Sequence, residues 1–182
     1  MKWVYALILA VFAVHAAALY FLGQPMICEC GYVEMWHGIV SDSGNSQHIS
    51  DWYTPSHVIH GVLFYALFTL LFPRLPLAYR LLMAAGLEAA WEVIENTPAV
   101  INHYRQQTLA QGYVGDSIIN SLADGAASLV GFLFASRARV VVSVALVILL
   151  EAAALYAIRD SLALNVFQFF AQPEWLASWQ AK

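Results

Sequence analysis

The chain has 182 residues, of which 61% are hydrophobic and 11% charged, with a formal net charge of −4. Soluble domains carry roughly 25% charged residues, so this chain cannot cover a normal solvated surface; a lipid-facing exterior accounts for the deficit. No basic patch suits nucleic acid, and no linker or internal repeat divides residues 1–182 into more than one domain.

Trp3 to Leu22 is apolar apart from His15. It supplies the roughly 20 residues that a helix rising about 1.5 Å per residue needs to cross the hydrocarbon core. A cleavable signal peptide is the rival reading, since Lys2 precedes the run and small residues stand at Ala16 to Ala18. A lipoprotein is not expected, because Pro25-Met26-Ile27 precedes Cys28 where a small residue should stand.

Residues 23–54 form the one long polar stretch, without Lys or Arg, and read as an extramembrane loop. Apolar runs follow at 55–72, 77–97, 114–135 and 140–158, separated by short breaks that hold Pro73, Pro76, Pro98 and the Arg137/Arg139 pair. The tail 160–182, with Phe167, Phe169, Phe170, Trp175 and Trp179, is too broken to cross and reads as an interfacial segment. The expected fold is therefore all-α: a polytopic bundle of about five transmembrane helices with one periplasmic loop and a C-terminal interfacial segment.

Orientation follows from the Lys/Arg bias of short loops. With the N-terminus inside, Lys2, Arg74, Arg80, Arg137 and Arg139 are cytoplasmic, against Arg105, Arg159 and Lys182 outside. Glu29, Glu34, Asp42, Asp51, Asp160 and Glu174 also fall outside, so the sequence predicts a cytoplasmic N-terminus and a periplasmic C-terminus.

Ionisable residues inside a membrane cost a few kcal/mol each and usually face a partner or a wet cavity. Glu88, Glu92 and Glu95 on the third predicted span follow i, i+4, i+7 spacing, and Asp116, Asn120 and Asp124 on the fourth follow i, i+4, i+8. Each set shares a helix face. The two spans run antiparallel, so at about 1.5 Å per residue Glu88 lies level with Asp124, Glu92 with Asn120 and Glu95 with Asp116. His57 and His60 open the second span at the level of the upper rungs, and Asp51, His48 and His37 lie in the loop above. The expected result is a polar shaft open to the periplasmic face.

Interhelical hydrogen bonding alone is one account of such residues, yet carboxylates so close repel unless protonated or met by a cation. His57, His60, Glu92 and Asp116 are the candidate ligands of Zn²⁺ or another divalent metal, and Glu92, Glu95, Asp116 and Asn120 the candidate catalytic groups. Asp51, His48, His37, Glu88, Asp124 and Arg159 are supporting candidates. A metal-free version uses Glu92 or Asp116 as general base. Cys28-x-Cys30 reads as a redox pair, a metal pair with His37, or two thiols without special role, the last being favoured. Ser56 after Pro55 reads as a helix cap, and His15, alone on an apolar span, as a packed histidine.

Cys28-Glu-Cys-Gly-Tyr-Val-Glu-Met-Trp-His-Gly38, the run from Asn45 to His57, Glu88-Ala-Ala-Trp-Glu-Val-Ile-Glu-Asn-Thr97, Gly115-Asp-Ser-Ile-Ile-Asn120 and Ile158-Arg-Asp160 resemble a bacterial inner-membrane family named domain of unknown function 2585. The resemblance spans nearly the whole chain and implies a multi-pass bacterial membrane protein; it assigns no reaction. The third span followed by Asp116, Asn120 and Gly125 has a fainter likeness to VanZ-type membrane proteins.

Three functions compete. The first is a metal-dependent hydrolase or transferase acting on a lipid or lipid-linked substrate. The second is a cation- or small-molecule-binding or transport protein, which needs polar residues at both membrane faces. The third is a structural subunit of a membrane complex.

Overall fold

A computed structural model describes residues 2–181. Among them the fold is all-helical: α1 (Lys2–Leu22), α2 (Thr54–Leu71), α3 (Leu77–Glu95), α4 (Pro98–Tyr104), α5 (Ile118–Ala135), α6 (Val140–Ile158), α7 (Leu162–Phe170) and α8 (Glu174–Gln180). Four of these, α1, α2, α5 and α6, are long and apolar enough to cross a membrane. The fifth expected span, α3, matches them in length with 19 residues but carries Arg80, Glu88, Glu92 and Glu95. It is the most polar long helix and lies against α1, α2 and α5.

The closest helix crossing is between α2 and α5, and two glycines make it possible. A Cβ on Gly61 would lie 1.8 Å from the Ser128 carbonyl oxygen, and one on Gly131 would lie 2.0 Å from that of Val58. Small residues at such a crossing let two backbones touch. The contact at Val58 fixes the backbone next to His57, so it also positions the site.

The half of the bundle remote from the 23–53 loop is closed by apolar packing. Ile8, Phe68, Leu81, Ala84, Ala85 and Phe132 are buried there, with Phe12, Phe64, Tyr65 and Leu129 packed against them. On the outer faces of α1 and α6 the apolar residues instead point away from the protein: Phe21 is 85% exposed and Val140 79%. That distribution suits helices solvated by lipid.

The loop does not float above the bundle. The first turn of a helix leaves backbone N–H groups without intrahelical partners, and the loop satisfies those of α5. Ile118 N–H donates to the Pro25 carbonyl at 2.8 Å, Ile119 N–H to that of Met26 at 3.2 Å and Ser117 N–H to that of Ser46 at 2.9 Å. Gln47 Nε2 donates to the Gly115 carbonyl at 2.7 Å, and Ser117 Oγ to the Gln47 carbonyl at 2.9 Å. Gly115 has φ +96°, a conformation that favours glycine, and a Cβ there would meet Gln24 Nε2 at 2.5 Å. Cys28 and Cys30 are joined in a disulfide instead of standing as two thiols.

Two of the departures from the expected boundaries bear on the site. The fourth span was expected from residue 114, but α5 begins at Ile118 because Ser117 is its N-cap, its Oγ accepting from the Asn120 N–H. Asp116 therefore precedes the helix and does not continue the Asn120–Asp124 face. The tail divides into α7 and α8, and α7 folds back toward α2–α4.

Candidate functional site

The polar half of the bundle is a series of hydrogen bonds and close polar contacts running through four helices. From α1, His15 Nε2 lies 2.8 Å from Ser121 Oγ on α5. Ser121 Oγ donates to Glu92 Oε2 on α3 at 2.5 Å. Glu92 Oε1 lies 3.1 Å from His57 Nδ1 on α2, and the same nitrogen is 2.7 Å from Glu88 Oε1. His60 Nδ1 lies 3.1 Å from Glu88 Oε2. One side of His57 thus faces two glutamates, while its Nε2 faces Asp124 Oδ2 at 3.8 Å. Except for His60, which is half-buried, all of these side chains are buried.

Above this series lies a second group. Asp116 Oδ2 accepts from Asn96 Nδ2 at 2.6 Å and Oδ1 from the Tyr113 hydroxyl at 2.9 Å, while the Asp116 N–H donates to Asn96 Oδ1 at 2.7 Å. Glu95 is half-buried, with the Tyr104 hydroxyl beside it. Burial drives the Asp116 carboxyl up, and the hydrogen bonds from Asn96 and Tyr113 restrain it at about 6. Burial first, and then these carboxylates, hold the Tyr104 and Tyr113 hydroxyls well above their ordinary range, so both remain donors.

Among the described residues, four sets of ligand atoms lie within 4.8 Å of one another, close enough to hold a metal ion. Two are in the loop: Glu34, His37 and His48, and Cys28, Cys30 and His48, whose two sulfurs are already joined in a disulfide. The other two are in the bundle: those of His57, His60 and Glu88, and those of Glu92, Glu95 and Asp116. The first bundle set offers two imidazoles and a carboxylate, a donor set suited to zinc or a similar transition metal. The second is all oxygen.

Both bundle sets border a cavity of about 460 Å³. His57, His60, Glu95, Asp116 and Asp124 supply its polar surface, and Phe64, Leu87 and Trp91 its apolar wall. Its cover is α7, whose Leu162, Asn165, Val166, Phe169 and Phe170 all line it. The spacing i, i+3, i+4, i+7, i+8 is one helical face. The start of α7 is fixed by Glu151 of α6, whose Oε1 and Oε2 accept from the Leu162 and Ala163 N–H groups at 2.9 and 3.1 Å. A carboxylate at a helix N-terminus also meets the positive end of the helix dipole.

The remaining expected site residues have other surroundings. Asn120 turns to the loop, its Nδ2 donating to the His48 carbonyl at 2.8 Å; it fastens the loop and lies outside the ladder of acids. Asp51 is likewise a loop organiser, accepting from the Ser46 and Tyr53 N–H groups at 3.0 and 2.7 Å. His48 Nδ1 accepts from the Glu34 N–H at 3.1 Å, and His37 lies between Glu34 and Asp42 at 3.0 and 2.9 Å. Arg159 is far from the acids: its Nη1 donates to the Trp179 carbonyl at 3.0 Å, and its guanidinium lies over the Trp179 ring. Glu88 and Asp124, expected at one level, lie on opposite sides of His57, at 2.7 Å from its Nδ1 and 3.8 Å from its Nε2, and His60 also meets Glu88.

Sequence reasoning missed Ser121 and gave His15 no partner. It also missed Asn96, which grips both the backbone and the side chain of Asp116, and Tyr53, Tyr104 and Tyr113 as lining groups.

Residues 19–182 match the family model described as "Protein of unknown function (DUF2585)". A UPF0314 protein of Sinorhizobium fredii is 51% identical over 173 residues, covering 95% of this chain and 88% of that protein. A UPF0314 protein of Brucella anthropi is 47% identical over 175 residues (96% and 89% covered), and one of Sphingopyxis alaskensis 46% over 172 residues (94% and 92% covered). The VanZ likeness has no counterpart among these matches, and no solved structure matches the chain. The chain thus belongs to the DUF2585 family.

Proposed function

We propose that the protein is a multi-pass inner-membrane enzyme, its loop end facing the periplasm, that uses a divalent metal to hydrolyse or transfer a group on a lipid or lipid-linked substrate. The observation that carries this reading is the convergence of His57, His60 and Glu88 beside the cavity that α7 covers. Those three residues would hold the ion, with Glu92 next to them as a further ligand or as the acid/base group. A metal-bound water has a pKa near 7 and can attack an ester, amide or phosphoester. The apolar wall and the α7 cover would take the hydrocarbon part of the substrate.

A transport reading has less support. The apolar packing around Phe68, Leu81 and Phe132 closes the far half of the bundle, where a conducting path would need polar residues. A binding protein without catalysis keeps the same site and differs only in turnover.

The test is elemental analysis of the protein purified in neutral detergent, followed by product analysis on periplasm-facing bacterial lipids. The reading expects about one divalent ion per chain and metal-dependent release of a lipid fragment. Absence of any stoichiometric ion, together with stability unchanged by a chelator, would sink the metal. A bound metal without turnover of any lipid would leave a binder.

A further inference from the structure

The cavity is lined by more acidic than basic side chains. Glu95, Asp116 and Asp124 line it, Glu88 and Glu92 lie behind, and among the described residues neither Lys nor Arg lines it. His57 and His60 both face Glu88. Asp124 is 4% exposed, borders the cavity, and leaves Oδ1 without any hydrogen-bond partner. A buried carboxylate oxygen without a donor is costly unless a ligand meets it.

The surroundings of the upper acids are aromatic. Tyr53, Trp91, Tyr104, Tyr113 and Phe169 line the same cavity. Aromatic faces attract cations, and most strongly when water is excluded; they offer a bare metal ion nothing comparable to an oxygen ligand. A volume of about 460 Å³ also far exceeds an ion. An anionic headgroup at the level of Glu95, Asp116 and Asp124 would face three acids.

On the proposed reading of the cavity as an amphiphile site, we infer that its mouth, formed by Glu95, Asp116, Asp124 and the surrounding aromatic side chains, selects an amphiphile whose headgroup carries an ammonium. The ammonium sits between the carboxylates and the aromatic faces. The hydrocarbon chain lies along Phe64, Leu87 and the inner face of α7. Substrate class is then set by charge at the mouth, and reaction type by the groups below.

The test uses the full chain in neutral maltoside micelles with a chelator present throughout the quenching titrations. The probes are three amphiphiles of one chain length, brominated near the headgroup and ending in trimethylammonium, hydroxyl or sulfate. Quenching of Trp91 is isolated by subtracting the signal of Trp91→Phe. The expected half-quenching mole fraction is at least about ten-fold lower for the ammonium than for the hydroxyl probe, with no saturable quenching by the sulfate. Glu95→Gln/Asp116→Asn should bring the first two probes within about two-fold. If that variant does not fold, Asp124→Asn should cut the preference at least about three-fold.

Equal quenching by ammonium and hydroxyl probes, or a preference untouched by these variants, overturns the inference. Equally potent competition by tetramethylammonium would also overturn it, by assigning the site to a small soluble cation. Metal content is measured on the same preparation before chelator is added: no stoichiometric ion there, with the preference kept under chelator, sinks the metal reading alone, and a stoichiometric ion there, with no preference under chelator, sinks this one alone.

Discussion

Among the described residues histidine and carboxylate meet in the loop and again in the bundle, and the two meetings differ in how far the acids are removed from solvent. In the loop, His37 is held on both ring nitrogens, by Glu34 and by Asp42, and those acids are 42% and 43% exposed. Asp42 also accepts from the Gly44 N–H. Both acids there reach water, and both nitrogens of His37 are taken, while the neighbouring His48 keeps Nε2 without a partner among the described residues. In the bundle, two histidines serve five buried or half-buried acids, and Asp124 Oδ1 has no donor at all. The same residue types stand beside solvent in one place and are crowded away from it in the other. The difference comes from solvent: exposed ion pairs are worth little and screen easily, whereas unmatched buried ones demand a counter-charge.

The strongest way to break the comparison is to dismantle the bundle and ask whether the loop survives. Ala at Gly61 or Gly131 puts a Cβ within 1.8 or 2.0 Å of backbone across the α2–α5 crossing. Loss of monodisperse folded protein in size-exclusion chromatography is the expected outcome. Normal folding would show that the crossing does not position His57.

A sharper test exchanges the histidines. His57→Ala should weaken Zn²⁺ binding at least about 100-fold in a competition titration, by removing a ligand from a site where even an outer partner is worth 10–100-fold. His37→Ala should change it by less than about two-fold. Equal losses would erase the distinction between the two groups.

Ser121→Ala probes the interior series without touching a proposed ligand. It strips a donor from Glu92 Oε2 and a partner from His15, both buried. A loss of about 1–3 kcal/mol in reversible unfolding in detergent is expected, with metal stoichiometry kept. No loss of stability would mean that water replaces the hydroxyl.

The smallest effect is a pH dependence confined to the loop. Burial works against the His37 imidazolium, but the hydrogen bonds to Glu34 and Asp42 outweigh it and raise His37 above 6.5. Its contribution is complete below 6.5 and is lost as pH rises through the higher folded value. For Asp42, burial is outweighed by His37 and the Gly44 N–H, which lower it below 3.8, so its contribution is present above 3.8 and lost on acidification through the folded value. Protease protection of the loop should therefore be greatest between 3.8 and 6.5 and fall above that range. Protection that rises with pH above 6.5 would contradict the pairing.

The apolar runs, the polar loop and the meeting of α2, α3 and α5 acids and histidines were legible, because length, hydropathy and helical spacing are local properties. Asp116 was misread as helical although Ser117 is a good N-cap; apolar Ile118 and Ile119 extended the pattern through the cap. Asn120 has the spacing of a shaft residue, and only tertiary contact shows it turned to the His48 carbonyl. His15 was read as packed, and it is, but its link through Ser121 to Glu92 joins residues 106 and 29 positions apart, which no periodicity reveals. The tail showed its aromatic character, yet nothing local places one face of α7 over the cavity. Arg159, a supporting candidate by sequence, is tied to Trp179 through tertiary contacts that no local pattern shows.

The most direct measurement is X-ray absorption at the zinc edge on the Zn²⁺-loaded full chain, compared with His57→Asn/His60→Asn and with His37→Ala. The account predicts two imidazole nitrogens at about 2.0–2.1 Å with oxygen ligands and no sulfur, a signal lost in the first variant and unchanged in the second. A sulfur shell from Cys28 or Cys30, or imidazole scattering that disappears with His37 and survives loss of His57 and His60, would contradict it.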